Sequence, residues 1–183
     1  MSSTSSAVEP VSLVSPFPPP RRVITYHDPS GECIAIDDTV PLAYRAPLPF
    51  GFAKMFVQAD FPGEPAKTVE YSDPQIQGFH HPQGVAASFF DFAPNPKGLT
   101  HYTDTFDYLV LLNGNLTLET TEGKTYEIGP GDLVVNAGNI RTWHNRTDQW
   151  ARAFGILVPA NEAKVDGQNL AQKYGTWNPA HRH

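Results

Sequence analysis

The stretch "GLTHYTDTFDYLVLLNGNL", residues 98–116, decides the fold. Its run from Tyr108 to Leu112 reads as a buried β-strand, and the Asn113-Gly114 behind it is the strongest short-range signal for a hairpin. The same stretch carries His101, Thr103 two residues on and Asp107 six residues on. A buried strand has no packing use for an imidazole and a carboxylate, so these polar groups are the first functional candidates.

Outward from this stretch the punctuation stays regular. Leu116 to Thr120 runs into Glu122-Gly123, Tyr126 to Ile128 into Gly129-Pro130-Gly131, and Leu133 to Asn136 into Ala137-Gly138-Asn139. A last strand, "ARAFGILVPA", follows a polar turn. Toward the N-terminus, "VITYHDPSGECIAID" reads as a hairpin around Pro29-Ser30-Gly31. "FAKMFVQAD" and "GVAASFFDF" read as further strands, separated by a polar, Pro-containing loop over residues 62–83 with room for a short irregular or helical segment. Short strands at roughly 8–12-residue spacing, with no long amphipathic helix between them, predict an all-β antiparallel sandwich or barrel. The helical candidate is "NEAKVDGQNLAQKYG", which Gly167 weakens.

The 183 residues suit one domain with dressed ends. Residues 1–20, rich in Ser and Pro, are expected to form a flexible or surface-draped arm, residues 21–160 the barrel, and residues 161–183 a short helical or irregular tail. The net charge of −6 excludes the basic surface that nucleic-acid binding needs. No window approaches the 18 or so apolar residues of a membrane span, and the N-terminus lacks the basic and apolar regions of a secretory signal. Cys33 is the sole cysteine, so no intrachain disulfide exists. A cytosolic protein with a small-molecule partner, and neither nucleic acid nor membrane, is the expectation.

Two segments resemble the paired motifs of the cupin superfamily, G-x5-H-x-H-x(3,4)-E-x6-G and G-x5-P-x-G-x2-H-x3-N. The first corresponds to His101-Tyr-Thr103, three residues, Asp107, six residues and Gly114, with Gly98 displaced from the opening-glycine position at Asn95. The second corresponds to "GDLVVNAGNIRTWHN", residues 131–145, one residue shorter between its glycines. More closely, "HYTDTFDY" and "GDLVVNAGNIRTWHN" are similar to the motifs of small single-domain fungal cupins found beside polyketide and other secondary-metabolite pathways. The similarity covers about three quarters of the chain, residues 21–159. The resemblance implies a single jelly-roll β-barrel with its site in the mouth. It also implies a homodimer, since small cupins pack or exchange N-terminal strands, for which "RRVITYHD" would serve.

Side chains of equal parity share a strand face. His101, Thr103 and Asp107 share one parity, as do Arg141, Trp143 and Asn145, and in the cupin arrangement these six converge on the interior. A metal-bearing cupin holds its ion with three histidines and one acid. By position this chain keeps His101, puts Asp107 for the glutamate, and has Thr103 and Arg141 where the other histidines stand. Threonine is a poor neutral ligand and a guanidinium has no lone pair to give, so the metal centre reads as lost. His80 and His81, in a loop of unknown reach, are the candidates for completing an iron or other divalent site with His101 and Asp107. His144 has the opposite parity and is expected to face outward as a surface residue unless a bulge reverses the strand.

Without a metal the same residues make an acid/base site. His101 is the candidate general acid or base, Asp107 its orienting partner, and Arg141 the anchor for a carboxylate or a developing enolate oxygen. Thr103, Trp143, Asn145 and Phe90 are the candidate substrate contacts. The expected function is a metal-independent lyase or isomerase, catalysing dehydration, isomerisation, cyclisation or decarboxylation of a small polyketide-like or aromatic intermediate. A metal-dependent oxygenase and a non-catalytic ligand-binding barrel, with Asp107 and Arg141 paired as a structural ion pair, are the alternatives.

Overall fold

Burial alternates along the strand that carries Asp107: Thr105, Asp107, Leu109 and Leu111 point inward, while Phe106 and Tyr108 face out. The computed structural model, which describes residues 14–44, 49–76 and 78–170, shows this as β7, Thr105–Asn113. The other strands are β1 (Arg21–His27), β2 (Cys33–Thr39), β3 (Ala43–Tyr44), β4 (Phe50–Gln58), β5 (Val85–Phe92) and β6 (Asn95–Tyr102). There follow β8 (Leu116–Thr120), β9 (Thr125–Ile128), β10 (Leu133–Ala137), β11 (Ile140–Asn145), β12 (Ala151–Pro159), β13 (Lys164–Val165) and β14 (Gln168–Asn169). One short helix, α1 (Thr68–Ser72), interrupts the long loop after β4, as the reading of residues 62–83 allowed.

The larger sheet has the order β10-β7-β12-β5-β4-β3 and the smaller β6-β11-β8-β9, with every pairing antiparallel. One apolar cluster joins them. Phe50 and Phe52 of β4, Phe90 of β5, Leu109 of β7 and Leu157 of β12 come from the larger sheet, and Leu116 of β8 and Trp143 of β11 from the smaller. Inner faces that share one core define the two-layer β architecture expected from the strand spacing. No helix among the described residues is long and apolar enough to cross a membrane.

Both ends are described in part. Residues 1–13 and 171–183 lie outside the described residues, so the outer parts of the arm and tail do too. The rest of the arm, residues 14–20, is anchored. Ser15 Oγ donates to Asp91 at 2.5 Å, Arg152 donates to the Pro18 carbonyl at 2.9 Å, and the Arg152 guanidinium lies 4.8 Å from the Phe17 ring centre. In the tail the helical reading fails at residues 164–169, which form the β13–β14 hairpin. Asp166 and Gly167 both take positive φ, 54° and 77°, the backbone that a two-residue Asp-Gly hairpin turn requires.

Candidate active site

The register of two strands builds the site. In the β6–β11 pair, Arg141 sits directly opposite His101, so the expected neighbour relation of these strands holds and the two side chains share a level in the barrel. After Tyr102 the chain crosses through Thr103 and Asp104 into β7 of the other sheet, which turns Asp107 inward. His101, Thr103, Asp107, Arg141, Trp143 and Phe90 all line one cavity. The cavity leaves about 60 Å³ for the centres of water-sized molecules, several times the ~10–15 Å³ that one buried water needs.

Its polar pole is a network around Arg141. Nη2 donates to Asp107 Oδ2 at 2.5 Å, and Nη1 donates to Thr103 Oγ1 at 3.0 Å and to the Asn139 carbonyl at 3.1 Å. Thr103 Oγ1 donates onward to Asp107 at 3.2 Å, and Thr105 Oγ1 donates to its other oxygen. Only Nε of Arg141 lacks an acceptor, although the side chain is almost wholly buried. Burial raises the Asp107 pKa against the pull of Arg141 and the two threonines. Burial likewise lowers that of Arg141 against the hold of Asp107. Each group therefore depends on the other to stay charged.

This corrects one expectation: Asp107 does not orient His101. Its oxygens are taken by Arg141 and two hydroxyls, because a guanidinium from the adjoining sheet reaches it and outcompetes a neutral imidazole. His101 instead places Nδ1 3.3 Å from the Leu99 carbonyl. A carbonyl only accepts, so that contact carries the proton on Nδ1 and leaves the lone pair on Nε2. Burial, and then the nearby Arg141 charge, push the His101 pKa down to about 3, with the Leu99 carbonyl opposing. The imidazole is neutral at any ordinary pH.

Other expected residues sort less evenly. Asn145 is not a substrate contact. Its Nδ2 donates to the carbonyls of Phe92 and Gln149, its Oδ1 accepts from Thr147, and it fixes the turn between β11 and β12. His144 faces away from the cavity as parity required, but it is buried rather than on the surface. Its Nε2 lies 2.9 Å from Glu119, and its ring packs where a Cβ on Gly98 would stand only 2.5 Å away. His80 does reach over the mouth and lines the cavity, whereas His81 does not and accepts from the Gln83 backbone. Sequence reading missed Phe50 and Phe79, which with Trp143 and with Phe90 and Phe92 of "SFFDF" make the walls aromatic. Phe79 is buried edge-on against Phe52, 4.7 Å between ring centres, although it comes from a loop.

The donors do not fit a divalent ion. Arg141, a cation, occupies the level opposite His101, Asp107 is engaged by it, and no three His, Cys, Asp or Glu side chains group as ligands among the described residues.

No family model matches the chain. Relatives do. A phomopsin biosynthesis cluster protein, protein C', of Diaporthe leptostromiformis is 28% identical over 160 residues, covering 82% of this chain and 84% of its own. Oryzines biosynthesis cluster protein J of Aspergillus oryzae is 28% identical over 167 residues, covering 87% and 93%. A cupin-domain-containing oxidoreductase of Neurospora crassa is 26% identical over 156 residues, covering 82% and 79%. The chain is thus similar to proteins of fungal secondary-metabolite clusters and to cupin-domain-containing oxidoreductases, and its two antiparallel sheets around one core fit the barrel that the motif resemblance implies.

Proposed function

We propose that this cupin is a metal-independent enzyme that moves a proton next to a carbonyl in a small polyketide-like or aromatic intermediate, a lyase or isomerase step. One observation carries the reading. A neutral imidazole with its lone pair on Nε2 and the Arg141 guanidinium stand opposite each other on paired strands, and both residues line the same aromatic cavity. In the step, a C–H bond α to the carbonyl breaks, its electron pair forms the enolate, and the proton goes to His101 Nε2. Arg141 stabilises the oxygen as charge develops. An imidazole with a conjugate-acid pKa of about 3 is a weak base, so the reaction suits an already acidic C–H, such as the carbon between two carbonyls. The enolate beside it then holds the new imidazolium.

Asp107 holds Arg141 in place and balances its charge. The ion pair itself supports a second reading, a barrel that binds such a ligand without reacting. An oxygenase needs a divalent ion that the donor set does not fit, although two relatives carry the name oxidoreductase. The homodimer remains part of the proposal, with the β1–β2 hairpin, a two-stranded sheet of its own, as the contact.

The test is deuterium uptake from D2O at the central carbon of 1-phenyl-1,3-butanedione, followed by NMR. Wild type should exceed buffer, and His101→Ala should return to the buffer rate while keeping its fold. Equal rates in wild type and His101→Ala would sink the assignment, and binding without any enhancement would favour the non-catalytic barrel.

A further inference from the structure

Resting on the homodimer of that reading, we propose a larger contact than the hairpin: the outer face of the larger sheet, where β10, β7 and β12 lie side by side, docks on the same face of a second copy of this chain. Register makes the face continuous. Val135, Tyr108 and Ile156 stand in one row across the three strands, and Leu133, Val110 and Phe154 in the next. Burial alternates along each strand, so the residues between them point into the core and these point out. Leu133 is 59% exposed, Val135 46%, and Phe106 and Tyr108 42% each. None of the outward-facing residues of 133–137, 106–112 and 154–158 is charged.

Elsewhere the fold covers this sheet itself. The anchored segment 14–20 lies over Asp91 and Arg152 at one end of β5 and β12, and α1 sets Tyr71 edge-on against Phe56 of β4, ring centres 5.6 Å apart. A monomer rarely leaves an apolar patch of more than a few hundred Å² in water. The outward residues of β10, β7 and β12 expose roughly 600 Å², so two such faces bury about 1,200 Å² together, the size at which specific interfaces become stable. Charge and the rest of the chain point to a second copy as the occupant. Each copy carries a net charge of −6, so two copies repel over most of their surface and approach at least cost through a face that has no charge. Identical apolar faces also match one another about a two-fold axis. Residues 1–13 bring Met1, Val8, Val11 and Leu13, and residues 171–183 bring Tyr174 and Trp177, too few large apolar side chains to cover three strands.

The test is sedimentation equilibrium of the full chain. Wild type should be a dimer at about 10 μM, and Tyr108→Glu, which sets like charges against each other near the centre of the face, should raise the dissociation constant by at least about 100-fold. Tyr108 points outward, so the variant should keep the wild-type circular dichroism spectrum. If it does not fold, Val135→Glu on the edge strand β10 takes its place. Val23→Glu, on the exposed side of the hairpin, should shift the constant by less than about 10-fold. A wild type that stays monomeric at about 50 μM overturns the proposal, as does a dimer that persists in the folded Tyr108→Glu or Val135→Glu variant. Dissociation in Val23→Glu alone overturns it too and leaves the hairpin as the contact. Monomeric wild type with His101-dependent exchange defeats both contacts and leaves the catalytic reading intact, while a Tyr108-dependent dimer without such exchange does the reverse.

Discussion

Replacing Asp107 by alanine should cost far more than an ion pair on the surface. Arg141 is 3% exposed and Asp107 2%, so the variant leaves a guanidinium in the barrel with its counter-charge gone and two threonine hydroxyls without their acceptor. Removing one partner of a buried pair costs about 3–5 kcal/mol. For a chain of this size each kcal/mol shifts the melting temperature by about 2–4 °C, so the fall should be about 6–20 °C. The double variant Asp107→Leu with Arg141→Met removes both charges and keeps apolar volume. It should return to within about 1–2 kcal/mol of wild type or exceed it, as replaced buried pairs do. Urea titration followed by tryptophan fluorescence, with Trp143 in the core, measures both. A loss below about 1 kcal/mol for Asp107→Ala, or a double variant as unstable as the single, would refute the claim that the two charges depend on each other.

Three further outcomes follow from the same structure. His101 titrates at about 3 when folded and near 6.5 when unfolded, so the unfolded chain binds more protons between those values. Its share of stability is full above pH 6.5 and is lost as pH falls toward 3. His101→Gln should therefore flatten the acid limb of stability against pH by roughly 2–3 kcal/mol between about pH 7 and pH 4.5, and an unchanged limb in urea titrations at those two pH values would count against the half-buried neutral imidazole. Gly98→Ala should lose about 2 kcal/mol or more, because φ is +78° and the new Cβ would meet the His144 ring at 2.5 Å; a melting temperature equal to wild type would contradict that packing. Arg152→Ala should cost about 3–5 kcal/mol by stranding the fully buried Asp91, whereas Ser15→Ala, which removes one bond to the same carboxylate, should cost about 1–2 kcal/mol. Equal, small losses in both would show that the anchored N-terminal segment is not held through this ion pair.

The strands were legible because turn chemistry is local. Asn113-Gly114 and Gly129-Pro130-Gly131 mark chain reversals whatever the tertiary context, and they do separate β7 from β8 and β9 from β10. The convergence of His101, Thr103, Asp107 and Arg141 was legible from parity plus the cupin strand order. The pairing of Asp107 with Arg141 was legible only as one alternative, because spacing along β6 and β7 cannot say whether an imidazole or a guanidinium from β11 reaches the carboxylate. Asn145 illustrates a readable signal passed over: Asn followed two residues later by Thr147 is an Asx-turn pattern, and its amide is spent there. Asp166-Gly167 was another, a hairpin dipeptide inside a segment taken for helix. Phe79 had no local signal at all. A phenylalanine in a polar loop is buried only because the barrel beneath it presents Phe50, Phe52 and Phe90.

The most direct test of the central claim is deuterium uptake by 1-phenyl-1,3-butanedione with protein stripped by chelator, its metal content checked by plasma mass spectrometry. A metal-independent base at His101 gives the same rate before and after stripping, and the buffer rate in His101→Ala. Loss of the rate on chelation, with recovery on adding iron or another divalent ion, would contradict the account and make His101 a ligand rather than a base.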